Sequence, residues 1–323
     1  MKPDIPLSAL VIAICALFFS SSFAGNPVLP GADPHAMVVG DTVWVYPTHG
    51  RGFFYAFSSK DLVNWEQHGP ILRFADIDWI PEGKYPWAPG VSERDGKFYF
   101  YYSVGPKPSH IGVAVSDSPG GPFIDSGRPL LSDNNDPRFE AIDAMVYHDP
   151  EADKWYLYAG GSAGATLRVF ELNDDMVSFR EELEVETPSH FTEGAFIHRH
   201  GDLYHFTYSH GYWRASSYSV HHATGPTPLG PWTYRGAIMT SDDRHKGPGH
   251  HSIIQNRHSG DWLIFYHRWN NREGDGPFSG ARETAIERLY HEEDGSIRPI
   301  VLTDEGVTDW PTEPPQSGAD PDR

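Results

Sequence analysis

Three carboxylic acids stand in similar sequence settings, each beside small residues at the start of an apolar run. They occur in Ala32-Asp33-Pro34-His35, Ile142-Asp143-Ala144 and Thr192-Glu193-Gly194. A single aspartate at such a place more often forms a turn. An unpaired carboxylate beside buried apolar residues is costly, so three of them favour a chemical role. A pair of carboxyl groups can cleave a sugar acetal, because one protonates the departing oxygen while the other acts on the opposite face of the ring.

The three acids would divide this work according to their surroundings. A carboxyl group near another carboxylate or against an apolar wall keeps its proton more strongly, whereas one that receives hydrogen bonds stays ionised. Our hypothesis makes Glu193 the proton donor and Asp33 the base that activates water. Asp143 is then the third acid, which keeps Glu193 protonated and oriented.

A repeat in the chain would bring these acids together. Five times a short apolar strand is followed by a turn built on Gly, Asp or Asn and then by an aromatic-rich strand, which is the pattern of a β-hairpin. A second hairpin follows each of these. The repeats begin near Asp33, Ala88, Asp143, Glu193 and His250, and a period of about fifty residues is typical of propellers and solenoids. The sequence predicts an all-β fold, a five-bladed β-propeller with four antiparallel strands per blade.

In a propeller the first strand of each blade lines the central channel, so the repeat starts converge at one mouth of the channel. We therefore expect Asp33, Asp143 and Glu193 to occupy equivalent positions around it. No segment carries a sustained apolar stripe of helical period, which disfavours barrels with outer helices. Two separate sandwiches are the remaining alternative, and the lack of a linker within the repeat disfavours them.

The two ends of the chain differ from the repeat. Lys2, the apolar run 7–19 and Ser22-Phe23-Ala24 have the pattern of a cleaved signal peptide, predicted over 1–24. The run is shorter than the roughly 20 residues that span a bilayer, so we expect a secreted or periplasmic protein. The only cysteine, Cys15, falls in this segment, and the mature chain would have no disulfide. The propeller is predicted over 25–310, and 311–323 is predicted to be a disordered tail.

The net charge and the aromatic content of the chain limit the classes of molecule that it is expected to bind. The formal net charge of −19 and the lack of a Lys/Arg cluster disfavour a phosphate backbone. Aromatic residues make up 14% of the chain, and it has 18 histidines, an inventory that suits a neutral polar ligand such as a sugar. We therefore expect a carbohydrate substrate, no nucleic acid and, after signal removal, no membrane partner. The sequence carries no signal for oligomeric state.

Over residues 33–301 the sequence resembles glycoside hydrolase family 43, the five-bladed propellers that act on arabinose- and xylose-containing glycans. Besides the settings of the three acids, the motifs that carry the resemblance are Trp87-Ala88-Pro89, Gly247-Pro248-Gly249-His250 and Gly280-Ala281-Arg282-Glu283-Thr284. The resemblance implies the roles of base, acid and pKa modulator for Asp33, Glu193 and Asp143. It also implies inversion, which requires carboxyl groups roughly 6.5–9.5 Å apart to admit a water molecule.

The resemblance further implies a sugar pocket. Arg282 would contact a carboxylate or sugar hydroxyls, and Trp87 and Trp213 would stack on sugar faces. Core packing is the alternative for both tryptophans. His35 and the segment Tyr266-His267-Arg268-Trp269 are further candidates for the pocket wall.

His250 should face the channel as the fifth repeat start. The resemblance implies that it is the sole protein ligand of a central ion, often calcium in this family, with water completing the shell because calcium prefers oxygen. The alternative is a buried histidine bonded to the backbone. The chemistry itself would need no cofactor, so such a calcium ion would be structural.

Several alternatives stay open on the sequence. A non-catalytic sugar-binding propeller would lose one or more acids, whereas all three are present. Retaining fructan-cleaving propellers carry Trp-Met-Asn-Asp-Pro and Arg-Asp-Pro motifs, and this sequence has neither. The sugar is ranked as α-L-arabinofuranose first and β-D-xylose second, with galactofuranose as a further alternative. Loops such as 76–85 and 132–139 shape the pocket, so the sequence leaves the sugar and the choice between terminal and internal cleavage open.

Overall fold

The computed structural model describes residues 20–22, 25–48 and 50–313. The predicted signal peptide, 1–24, lies outside these residues except for Ser20–Ser22, and the predicted tail, 311–323, lies outside them except for 311–313, so both stay predictions. Across the described residues the one helical element is the short 3-10 turn Phe74–Asp76. None of this part of the chain forms a helix long and apolar enough to cross a membrane.

The strands form five antiparallel sheets with four strand positions each, which confirms the predicted five-bladed β-propeller. Two short strands, β1 (Ser20–Ser22) and β2 (Leu29–Pro30), precede the first blade. Blade one contains β3 (Ala32–Val39), β4 (Thr42–Thr48), β5 (Phe53–Ser59) and β6 (Asn64–Arg73). Blade two contains β7 (Tyr85–Arg94), β8 (Lys97–Gly105) and β9 (His110–Ser116), with β10 (Ile124–Asp125) and β11 (Leu131–Ser132) at its outer edge.

The remaining blades follow the same order from the axis outwards. Blade three contains β12 (Met145–Asp149), β13 (Lys154–Ala159), β14 (Arg168–Leu172) and β15 (Phe179–Leu183). Blade four contains β16 (Glu193–His200), β17 (Leu203–His210), β18 (Ser219–Gly225) and β19 (Thr233–Met239). Blade five contains β20 (His245–Gln255), β21 (Trp262–Asn270) and β22 (Glu283–Leu289).

A repeated tyrosine contact joins the first four blades. In each case a tyrosine hydroxyl on the second strand of one blade donates to a backbone carbonyl in the outer loop of the next blade. The pairs are Tyr46 with Pro119 at 2.8 Å, Tyr101 with Met176 at 2.8 Å and Tyr158 with Pro228 at 2.7 Å. A buried tyrosine needs such a partner for its hydroxyl. The aromatic strands found in the sequence therefore fill the seams between blades and also connect them.

The N-terminal segment closes the ring. Strand β2 pairs with β22, so the start of the chain supplies the outer edge of the last blade. Asn26 joins the same regions, because its Nδ2 donates to Ile286 O and to Glu287 Oε1, both at 3.0 Å. Its Oδ1 accepts from Ile286 N at 2.8 Å. The side chain is buried, so these bonds are shielded from water.

We expect Asn26→Ala to lower the free energy of unfolding by about 2 kcal/mol, because it leaves the buried backbone N–H and C=O of Ile286 without their partner. Thermal denaturation checks this. Asn64→Ala is the control, since the Asn64 side chain bonds to Asp61 at the exposed surface and should change stability by less than about 0.5 kcal/mol. Equal losses in the two variants would contradict a role for Asn26 in closing the ring.

Candidate active site

Every blade begins with one residue in the left-handed backbone region. The residues and their φ angles are Asp33 at 51°, Ala88 at 35°, Asp143 at 60°, Gly194 at 64° and His250 at 35°. Only glycine adopts this conformation without strain, and strained residues concentrate at functional sites. Glu193 precedes the left-handed residue of its blade by one position. Asp33 and Asp143 thus occupy equivalent positions, but the prediction is wrong for Glu193, which stands one position earlier, where blades one and two have Ala32 and Trp87 before the same bulge.

The backbone N–H of each left-handed residue is held by a side chain of the preceding blade. The pairs are Ala88 N with Thr48 Oγ1 at 2.6 Å, Asp143 N with Ser103 Oγ at 2.9 Å, His250 N with Ser209 Oγ at 2.8 Å and Asp33 N with His267 Nδ1 at 3.1 Å. In blade three the corresponding residue is Gly160, which lies opposite Ile142 and has no side chain. Gly194 N donates instead to Asp143 Oδ2 at 3.0 Å. This bond fixes the Asp143 carboxylate next to Glu193.

A pocket of about 430 Å³ opens over these residues, and residues from all five blades line it. The lining residues are Asp33, Trp87, Ala88, Glu140, Ile142, Asp143, Ser162, Glu193, Trp213, His250 and Arg282. The structure thus brings the three acids together with Trp87, Trp213, His250 and Arg282.

Asp33 lies among cationic and hydrogen-bonding groups. Its Oδ1 is 3.0 Å from Arg282 Nη1 and 3.0 Å from His267 Nδ1. Burial would raise the pKa of Asp33, but the charges of Arg282 and His250 outweigh it and hold the pKa well below its usual range. The carboxyl group of Asp33 is therefore ionised at neutral pH and in mild acid.

Glu193 lies in different surroundings, although it shares the pocket. Its Oε1 accepts a hydrogen bond from Tyr218 OH at 2.7 Å, and its Oε2 accepts one from Ser162 Oγ. Burial raises the pKa of Glu193 and the charge of Asp143 raises it further, so that it reaches about 7 although the two hydrogen bonds oppose the rise. Near neutral pH Glu193 therefore holds a proton that it can donate.

His250 lies between the acids. Its Nδ1 is 3.3 Å from Asp143 Oδ2 and 3.8 Å from Asp33 Oδ1. Burial alone would lower the pKa of His250, but Asp143 and Asp33 outweigh it and raise the pKa to about 9. His250 Nδ1 is thus within reach of both carboxylates. The central calcium ion stays a prediction.

Neighbouring residues fix the aromatic walls of the pocket. The guanidinium of Arg282 lies 4.6 Å from the ring centroid of Trp213, and the Trp213 ring stacks on Trp269 at 6.2 Å. Trp87 lies against Gly105 on β8, where a Cβ would come within 1.9 Å of the indole. Glycine at this position therefore gives the Trp87 ring room to lie across the neighbouring strand.

Two predicted parts of the pocket wall lie elsewhere. His35 does not line the pocket, and its ring lies in the channel 6.3 Å from that of Phe196. Side chains alternate along β21, so of the segment 266–269 His267 reaches the acids and Trp269 supports Trp213. Tyr266 and Arg268 point to the other face, where Arg268 Nη1 donates to Thr303 O at 2.8 Å.

The sequence did not predict three residues of the site. Glu140 is a fourth carboxylate in the pocket, and its Oε2 accepts from Ala163 N at 3.2 Å. Glu140 and Ser162 lie in loops, and Tyr218 directly precedes β18, so none of them occupies a repeat position. The one available signal was the glycine pair 160–161 before Ser162, since such a pair often marks a close approach of the backbone.

Comparison with known proteins agrees with this geometry. The model of glycosyl hydrolases family 43 matches residues 24–297. The chain belongs to this family. It is 35% identical over 309 residues to a β-D-galactofuranosidase of Aspergillus niger, across 89% of this chain and 88% of that protein. It is 29% identical over 338 residues to a xylosidase/arabinosidase of Bacteroides ovatus, across 86% and 98%.

Solved family 43 structures share the fold. A β-xylosidase/α-arabinofuranosidase from a compost microbial metagenome, solved in complex with xylotriose, has a TM-score of 0.71 and 27% identity, across 87% of this chain and 98% of that one. An α-L-arabinofuranosidase from Clostridium thermocellum has a TM-score of 0.71 and 28% identity, across 86% and 96%. The protein is therefore a glycoside hydrolase.

The raised pKa of Glu193 predicts the alkaline limb of the activity profile of this family 43 enzyme. An acid that must be protonated loses its function above its pKa, so kcat/KM should fall above pH of about 7. Asp143→Asn removes the neighbouring negative charge, which makes Glu193 easier to ionise. The limb should then move to lower pH by about one unit.

Glu140→Gln is the matched control, because it neutralises the other carboxylate of the pocket and should leave the limb in place. The measurement is kcat/KM against pH for the three proteins. If the alkaline limb does not move in Asp143→Asn, or moves equally in both variants, Asp143 does not raise the pKa of Glu193.

Proposed function

We propose that this enzyme removes terminal α-L-arabinofuranosyl residues with inversion, with Asp33 as base and Glu193 as acid. The observation that carries the proposal is the contrast between two carboxyl groups in one pocket. Arg282 at 3.0 Å favours the ionised form of Asp33, whereas burial and Asp143 favour the protonated form of Glu193. Inverting hydrolysis requires one carboxyl group in each state.

The proton transfers follow from these two states. Glu193 donates its proton to the glycosidic oxygen as the bond from that oxygen to the anomeric carbon breaks. Asp33 accepts a proton from water as the water oxygen bonds to the same carbon. Exchange with solvent then returns Glu193 to the acid form and Asp33 to the ionised form. Since its lowered pKa makes Asp33 a weak base, its charge and position near the developing oxocarbenium ion provide much of its effect.

The shape and walls of the pocket support cleavage at a chain end. Residues of all five blades line it, so every blade contributes to the wall around the sugar. Trp87 and Trp213 offer faces on which a sugar ring can stack. Glu140 supplies a carboxylate that can accept hydrogen bonds from sugar hydroxyls. A pocket of about 430 Å³ with these walls suits a single terminal residue better than a long stretch of chain.

A terminal β-D-galactofuranosyl group is the second candidate substrate. The observation that favours it is the 35% identity to the Aspergillus niger galactofuranosidase. The two furanosides share the configuration of the ring, and galactofuranose carries one further CH(OH) group on its side chain. A pocket that aligns the arabinofuranose ring with the two acids therefore aligns the galactofuranose ring in the same way.

We expect nitrophenyl α-L-arabinofuranoside and β-D-galactofuranoside both to be cleaved faster than the β-D-xylopyranoside, because the pocket aligns a five-membered ring. The measurement is kcat/KM for each glycoside. A xylopyranoside cleaved fastest would contradict the furanoside proposal. On the best substrate, NMR of the first product should show the inverted anomer. A retained anomer would indicate that one carboxylate acts as a nucleophile. The absence of any product would indicate a binding protein.

Glu193→Gln tests the acid directly. We expect it to slow hydrolysis of a natural oligosaccharide by about a thousandfold, because its leaving group needs a proton. A dinitrophenyl glycoside should lose far less, since its leaving group departs without help. Glu140→Gln serves as the matched control, because removal of a binding contact should slow both substrates alike. Equal losses on the two substrates in Glu193→Gln would remove Glu193 from the acid role.

A further inference from the structure

A cluster of histidines lies at the end of blade four away from the acids. His198 on β16 and His205 on β17 are cross-strand partners. His291 follows β22, the third strand of blade five, and reaches the same place. His198 is five residues from Glu193, which corresponds to about 16 Å along a strand. The cluster is therefore separate from the pocket that holds the acids.

The geometry of the three rings suits a metal ion. His198, His205 and His291 each offer one ring nitrogen, and these nitrogens lie within 4.8 Å of one another. His198 Nε2 and His291 Nε2 are 2.8 Å apart. In a tetrahedral zinc site the ligand nitrogens are about 3.3 Å apart, since each zinc–nitrogen bond is about 2.0 Å. Small side-chain rotations would therefore bring the three nitrogens to the required separation.

An unpaired atom points to a missing ligand. His205 Nε2 is buried and has no hydrogen-bond partner among the described residues. The His205 side chain is fully buried, and its Nδ1 lies 3.0 Å from His222 Nε2. If Nδ1 donates to His222, Nε2 keeps its lone pair, which is the state of a metal-bound histidine with an oriented second nitrogen. An unpaired polar atom in a dry interior is costly, and a metal ion on His205 Nε2 would remove that cost.

A surface pocket gives a metal ion access to the cluster. His291 is partly exposed and lines a surface pocket of about 220 Å³ together with Trp262 and Arg288. This pocket gives an ion a route to the cluster and leaves room for a water ligand.

We propose that His198, His205 and His291 bind one divalent transition metal ion of the zinc class, with water as the fourth ligand. Imidazole ligands suit zinc, copper, iron and nickel, whereas calcium and magnesium prefer oxygen. Two ligands come from blade four and one from the chain after blade five. The ion therefore joins the two blades on the side of the propeller away from the acids.

Zinc binding to the full-length protein tests the proposal. The protein is prepared without a histidine tag, treated with EDTA, dialysed, and titrated with Zn²⁺ in a calorimeter and with Co²⁺ in a visible spectrophotometer. We expect one equivalent of Zn²⁺ per chain, a higher melting temperature with Zn²⁺, and the strong visible absorption of tetrahedral Co²⁺. His291→Gln should weaken Zn²⁺ binding by at least about tenfold. It is the chosen variant because His291 is partly exposed, so the core stays intact.

His148→Gln is the matched control, because His148 pairs with the exposed Asp153 in blade three. It should bind Zn²⁺ as tightly as the unchanged protein. Glycoside hydrolysis by the EDTA-treated variants should equal that of the unchanged protein, which shows that they are folded. Lack of stoichiometric Zn²⁺ binding, or unchanged affinity in His291→Gln, would overturn the proposal. The cluster would then be a hydrogen-bonded aromatic stack, in which His200 lies on His291 at 3.9 Å.

Discussion

The buried N–H of the left-handed residue at the start of each blade is the constraint on which the site depends. A buried N–H without a partner is costly, so each blade must supply an acceptor to the next one. Hydroxyl or imidazole groups do this at four junctions, but Gly160 at the third cannot. Asp143 accepts the bond from Gly194 in its place. One hydrogen bond therefore completes the backbone of blade four and fixes a negative charge beside Glu193.

The uneven distribution of cationic groups then separates the states of the two carboxyl groups. Arg282 comes from blade five and its charge lies against Asp33, whereas Glu193 receives hydrogen bonds from the neutral hydroxyls of Tyr218 and Ser162. Neutral donors satisfy the oxygens but supply no positive charge to favour ionisation. Each pKa unit corresponds to about 1.4 kcal/mol, so such differences in contacts are large enough to determine which group carries the proton.

The sequence revealed the parts of the site that follow the repeat. Asp33, Asp143 and His250 share one backbone conformation, and hairpin patterns around them were sufficient to predict the propeller. Glu193 lies one position before the left-handed residue of its blade, where blades one and two have Ala32 and Trp87, so the repeat alone did not place it. Glu140 and Ser162 lie in loops, where position depends on contacts between distant parts of the chain.

The histidine cluster lies at the seam between blades four and five, which lacks the tyrosine contact that joins the first four blades. Thr207 occupies the register position that Tyr46 and Tyr101 hold in their blades. The Thr207 hydroxyl bonds to His251 Nε2 at 2.6 Å. This position therefore provides no bond to the outer loop of blade five. At this register position the seam between blades four and five is therefore polar, whereas the first three seams have a tyrosine there. A metal ion held from both sides of this seam would replace the missing contact, because ligands from both blades must stay in place to keep it. The propeller would then be closed on each side of blade five, by β2 at its outer edge and by the metal ion at its junction with blade four.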